Sequence, residues 1–364
     1  MLKARSALSG CFVLALLGAG WCAAIYAGKP APPPPPPPPG KIVFASQGFW
    51  QMNGDGSGKT AVPFTSPSDA SAAVPSLGSY AGHRWWLCIR ELAPNQTDLY
   101  ATKDGSDWIQ LTASSITPNG DGTETHVRFF ADPCWSNDGD DTFCSVKATY
   151  YIYNPATATG SNIHRIIYRV DISASDLEGM APDDDDPLLS VGNPAVTPVI
   201  SAAVPTGAGV EPLLDHHWSA ESTDITFVRN NASPGAAMDL YFANVSHGPV
   251  DAADASLIYH NPSSFDVARP RWTPAGNTLG HEYIVFDCGN SIYTVSPDGS
   301  QLAPLTTGWG AFWSPDGQYL AYRVPVYLKG RTRLYDIARF PLLGGSVVTL
   351  ISDSSDKVVK GWCE

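Results

Sequence analysis

The stretch "LDHHW", residues 214–218, sets a carboxylate and two imidazoles side by side, a combination able to ligate a transition metal. Neighbouring side chains on a strand point to opposite faces, so on an extended backbone His216 and His217 do not easily share one ion. Asp183, Asp184, Asp185 and Asp186 form a second concentration of charge. Four adjacent carboxylates relieve their repulsion by taking up a hard cation such as calcium, or stand apart in a solvated loop. A third stretch, "QMNGDGSGKT" at residues 51–60, ends like a phosphate-binding loop. Asn53 replaces the glycine such a loop requires, and the following "AVPFT" has β-type residues and a proline where a helix should begin, so no phosphate site is read there. Of the seven cysteines, Cys134 and Cys144 flank the turn "CWSNDGDDTFC", where a hairpin would let them form a disulfide. No cysteine spacing matches a zinc site, and no Gly-x-Ser-x-Gly nucleophile elbow occurs.

The elements that must hold these residues are repeats. Segments beginning at Phe49, Leu99 and Ile292 each read as an aromatic-led strand, an Asp-Gly-Ser turn and a strand ending in Thr. A second signature, "FWSPDGQYLAYRV" from Phe312, has looser copies starting at Cys134, His217 and Arg271. There a Trp closes one strand, a short turn follows, and an aliphatic–aromatic strand begins. Asp-Gly suits tight turns because both residues accept positive φ. Asp55, Asp104, Asp138, Asp298 and Asp316 are therefore assigned to local turn hydrogen bonds, not to acid–base pairs. Joined together, the two signatures describe a four-stranded meander, the blade of a propeller.

On these motifs, most specific at residues 313–317 and 298–300, the chain resembles the TolB-like, or Trp-Ser-Pro-Asp-Gly repeat, β-propellers. The resemblance spans nearly all of residues 41–362, and the fourth repeat departs from it with Glu221 and Ser222 in place of Asp-Gly. It implies an all-β, six-bladed β-propeller of four-stranded blades, with inner-strand landmarks at Leu77, Trp135, Trp218, Trp272, Trp313 and Trp362. The first repeat starts at its second strand, "KIVFAS". Its inner strand is expected from "KVVKGW" at the end of the sequence, so that the C-terminal strand pairs into the first blade and closes the ring.

In such a ring the tight turns share one face, and the long segments 114–132, 147–163, 173–216, 229–237 and 247–271 are expected as loops on the other. Residues just before each landmark Trp then line the channel mouth. Asp132, Asp215, His216, His217, Arg269 and Arg271, with Trp309 near by, make a mixed ring. Arg269, Arg271 and Trp309 suit an anionic or sugar-like ligand, while His216 with Asp132 or Asp215 suits a metal. The reading that follows is a non-catalytic propeller without a cofactor, binding a protein, peptide or glycan partner through its loop-rich face. The alternative is a metal-dependent, lyase-like carbohydrate-active enzyme using His126, His164, His216, His217 or His281 at the mouth.

Export is expected from residues 1–27, where Lys3 and Arg5 precede an apolar run, as in a signal peptide or a membrane anchor. Residues 28–40, with eight consecutive prolines, read as a stiff linker, and residues 41–364 as the propeller. This places the protein in the periplasm, at the cell envelope or outside the cell. The net charge of −13 repels phosphate backbones, so nucleic acid is not an expected partner.

Overall fold

Period-two burial along the second strands builds the molecule. In the strand Lys41–Ala45, Ile42 and Phe44 are buried toward one neighbouring blade and Val43 toward the other. Both faces of a sheet in a closed ring are covered, which is why these strands read as nearly continuous apolar runs. The computed structural model describes residues 38–64, 70–94, 96–180, 189–190, 195–204, 212–230, 237–261, 265–327, 333–353 and 355–364. Their strands form six blades around an axis.

Blade 1 runs, from axis to rim, Val358–Cys363, Lys41–Ala45, Phe49–Asn53 and Thr60–Ala61. Blade 2 is Ala70–Pro75, Trp86–Ala93, Gln96–Thr102 and Trp108–Gln110. Blade 3 is Glu124–Trp135, Cys144–Asn154, Thr159–Val170 and Val196–Ala203. Blade 4 is Leu214–Trp218, Asp224–Asn230, Met238–Asn244 and Ser256–Tyr259. Blade 5 is Val267–Trp272, Ile284–Cys288, Ser291–Val295 and Ala303–Thr307. Blade 6 is Trp309–Trp313, Tyr319–Tyr327, Arg333–Pro341 and Val348–Ile351. The expected closure is present: Val358–Cys363 pairs antiparallel with Lys41–Ala45, Cys363 opposite Lys41 and Val358 opposite Ala45. Six apolar clusters fill the six gaps between blades, each holding at least one large buried side chain such as Trp218, Trp272 or Trp362.

The repeated turns behave as local devices. Asp316 accepts from the Ser314 hydroxyl at 2.6 Å and the Gln318 N–H at 3.1 Å, and Asp138 is held in the same way by Ser136 and Asp140. Asp55, Asp104 and Asp298 each accept the N–H of the serine two residues on, and these bonds to serine hold their carboxyls below the usual carboxylate range. "NGDGSGKT" is one of these hairpin turns. Gly54 is required there because a Cβ would meet Pro38 and Trp362 at 2.8–2.9 Å.

Four expectations are corrected. Segments 114–132 and 147–163 are mostly strand: Ser115–Pro118 pairs with the start of Glu124–Trp135, whose other side carries the long second and third strands of the blade. Blade 3 therefore continues past the ring as an extension, with Ser115–Pro118 on the axial side in sheet order. Its runs "TYYIY" and "NIHRIIY" alternate side chains across a sheet, so hairpin pairing satisfies their backbones where a loop would not. The segments 173–216 and 247–271 depart from the expected face: residues 171–180 and 245–255 belong to the connections between the third and fourth strands of blades 3 and 4, on the face of the tight turns, while Val196–Ala203 is strand and 245–255 contribute Val250–Asp251 to the rim of blade 3. Cys134 and Cys144 are free: Cys134 faces Ser145 and Cys144 faces Trp135, so period-two alternation turns the thiols to opposite sides, into different clusters. Finally, the last residues of the expected linker, 38–40, belong to the folded unit, where the Trp362 indole donates to the Pro39 carbonyl at 2.9 Å. Among the described residues, no helix is long and apolar enough to cross a membrane.

Candidate functional site

Four inner strands break their ladder at the same place, three residues before the landmark Trp. Pairing shifts between Ala131 and Cys134, Leu214 and His216, Ala268 and Arg271, and Trp309 and Phe312. The residue in each bulge is left-handed: Asp132 (φ 52°), Asp215 (φ 33°), Arg269 (φ 52°) and Gly310 (φ 62°). Glycine takes this conformation without strain, whereas the other three hold it at a cost of order 1 kcal/mol each. Side-chain bonds between strands and blades keep them there.

Asp132 Oδ2 lies 2.8 Å from Lys147 Nζ on the second strand of blade 3, as an ion pair without hydrogen-bond alignment. Asp215 accepts the Arg269 N–H of the next blade at 2.8 Å. Arg269 Nη1 donates to Asp287 at 2.7 Å, and Asp287 also accepts the Gly310 N–H at 2.9 Å, linking blades 5 and 6. Asp287 is only 2% exposed, and this burial raises its carboxyl pKa against the lowering effect of Gly310 and Arg269. The strained ring is thus an inter-blade clasp.

His216 is also committed. The Trp218 indole donates to Ser145 Oγ at 2.9 Å, and the same hydroxyl lies 2.7 Å from His216 Nε2 and 3.4 Å from the Cys134 carbonyl. Burial pushes the His216 imidazole down to about 4, which favours the neutral ring. His217 points toward the other neighbour, with Nδ1 3.0 Å from the Trp218 carbonyl and 3.3 Å from the Trp272 N–H, and burial likewise lowers its pKa. Ser145→Ala should cost about 2 kcal/mol in urea unfolding, because it strands two buried polar groups at once. A loss under about 0.5 kcal/mol would show that the network is not structural.

Asp132, Asp215, His216, His217, Arg269 and Arg271 all line one central cavity of about 330 Å³, bounded by the inner strands. Trp309 does not join them; its indole donates to the Gly289 carbonyl at 2.8 Å and meets Tyr335 edge-on. Lys360, in the pairing irregularity of the closing strand, also lines the cavity, as expected of a residue just before the landmark Trp362. Among the described residues, His, Cys, Asp and Glu do not gather in groups of three or more that could hold a metal. Asp183, Asp184, Asp185 and Asp186, the expected calcium ligands, lie outside the described residues.

No protein-family model matches the chain, and no curated protein matches it. Among solved structures it is similar to a puromycin-hydrolyzing peptidase of Mycobacterium tuberculosis, at 15% identity and TM-score 0.47 over 83% of this chain and 49% of that one. The chain therefore spans about half the length of that peptidase. It is also similar to TolB of Agrobacterium tumefaciens, at 15% identity and TM-score 0.46 over 88% of this chain and 92% of that one. Oligogalacturonate lyase of Vibrio parahaemolyticus aligns at 11% identity and TM-score 0.42 over 86% of this chain and 73% of that one. At these values the likenesses carry no argument about activity, and the propeller rests on its own sheet topology.

Proposed function

We propose that this chain is an exported, non-catalytic propeller that binds a protein, peptide or glycan partner across its elaborated face. The observation that supports this most is the one-sided extension of blade 3. It adds strand to a sheet already complete for the ring, and it leaves Ile116 at 48% and Ile163 at 37% exposure, outside any core. Of the imidazoles that an enzyme would use, His216 and His217 are engaged with blades 3 and 5.

Capture from envelope and culture extracts tests the proposal, using the intact chain, an Ile116→Asp/Ile163→Asp variant of the extension, and a Leu343→Asp control on the face of the tight turns. The extension variant should lose at least tenfold of a partner that the control retains. A partner lost with Leu343→Asp and kept by the extension variant would refute the assignment of the face. Stoichiometric metal in the purified protein that disappears in His216→Ala would favour the enzyme instead.

A further inference from the structure

The cavity wall is divided by charge. On the arc of blades 3 and 4, Asp132 is paired with Lys147, Asp215 caps the Arg269 N–H, and the two imidazoles are neutral. On the arc of blades 5, 6 and 1, Arg271, Arg323 and Lys360 face the same cavity. Arg271 donates to the Pro270 carbonyl at 2.8 Å and lies 5.1 Å from the Phe312 ring centre, with no carboxylate in ion-pair range among the described residues. Lys360 has neither hydrogen bond nor ion pair among them, and burial lowers its pKa. Arg323 lies 4.1 Å from the Tyr335 ring centre and reaches Asp356 at 3.6 Å, while its buried Nε has no hydrogen-bond partner among the described residues.

Three cations from consecutive blades, incompletely neutralised in one enclosed space, are costly in a protein whose net charge is −13. An anion in the cavity removes that cost. We propose that the central channel binds a small organic carboxylate, held by the Arg271 fork and by the Lys360 and Arg323 charges. Arginine offers paired donors matched to a carboxylate, and Phe312, Val358 and Val359 on the wall favour an organic anion over a bare inorganic one. The cavity has room for one small molecule.

The inference goes beyond the proposed binding role and does not depend on it: the cavity reaches the tight first-to-second-strand turns, where Ser136, Asn137, Gly276 and Pro315 line it. Citrate is the probe, titrated calorimetrically into the full chain, with inorganic phosphate as the second arm. Citrate should bind saturably, and Arg271→Gln and Lys360→Gln should each weaken it at least tenfold while melting like the parent. No heat with citrate, or equal affinity in both variants, overturns the proposal; tighter binding of phosphate than of citrate overturns the carboxylate assignment. Should a variant fail to fold, the parent still decides, because saturating citrate must raise the titration midpoint of Lys360 and an unmoved midpoint overturns the idea. Loss of citrate binding in Arg271→Gln with partner capture intact is expected if both readings hold. Absence of citrate binding in the parent with capture still dependent on Ile116 and Ile163 removes only the channel proposal.

Discussion

A chain lacking residues 357–364 should show no cooperative thermal unfolding. The strand Val358–Cys363 is the entire inner strand of blade 1, and it buries Val359, Trp362 and Cys363 to 3% exposure or less. Losing a buried Trp alone costs about 3–5 kcal/mol. Lys357, fully buried, lies 2.8 Å from Asp353 and 3.7 Å from Asp336, so its removal leaves the buried Asp336 carboxylate uncompensated, a further cost of about 3 kcal/mol. Beyond the strand, the Glu364 N–H donates to the Leu77 carbonyl at 3.0 Å, and Arg84 ties the Glu364 backbone oxygen to the carbonyls of Ser76, Leu77 and Gly78 in blade 2. Together these losses reach the order of 10 kcal/mol, comparable to the whole stability of an ordinary domain. Calorimetry and limited proteolysis check the outcome. A truncated chain melting within about 5 °C of the intact one would show that the ring does not depend on this clasp.

The same closing strand shows what the sequence made legible. "KIVFAS" opens as a second strand, and that alone calls for a partner from the other end of the sequence, because an unpaired inner edge would be left in the ring. The landmark Trp residues and Asp-Gly turns were equally readable, since each depends on a few adjacent residues. The bulges were not read from the sequence, and only Gly310 carries a local trace of one; Asp132, Asp215 and Arg269 adopt the left-handed backbone where bonds from other strands hold them. The partner of His216 is Ser145, 71 residues away, so the commitment of that imidazole had no local trace. The extension of blade 3 did have one. "TYYIY" is rich in strand-forming side chains, but the length of the segment suggested a loop, and strand propensity prevailed once a neighbouring hairpin supplied pairing. Cys134 and Cys144 failed as a pair by one residue of register, the least predictable feature of a hairpin with a long turn.

The second large effect concerns Asp141, in the first turn of blade 3. Its carboxyl is fully buried and accepts the N–H groups of Leu77 at 3.0 Å and Gly78 at 2.9 Å and the Tyr80 hydroxyl at 2.9 Å, fastening blade 3 to blade 2. Burial pushes the acid up to about 6, against the lowering effect of those three donors. A folded-state pKa above the unfolded value of 3.8 means that folding favours the protonated acid. The stabilising contribution is complete below 3.8 and disappears as pH rises through about 6; at about 1.4 kcal/mol per pKa unit it amounts to about 3 kcal/mol. The turn aspartates act in the opposite direction, because their lowered pKa values withdraw stability as pH falls. Asp141→Asn separates the two effects by removing one titration and leaving the others. The stability of the parent relative to this variant should therefore rise by about 3 kcal/mol between pH 7 and pH 4, measured by urea unfolding at each pH. A difference that stays constant across that interval would mean that the Leu77, Gly78 and Tyr80 donors hold Asp141 as a carboxylate throughout, and that its burial does not govern the acid response of the ring.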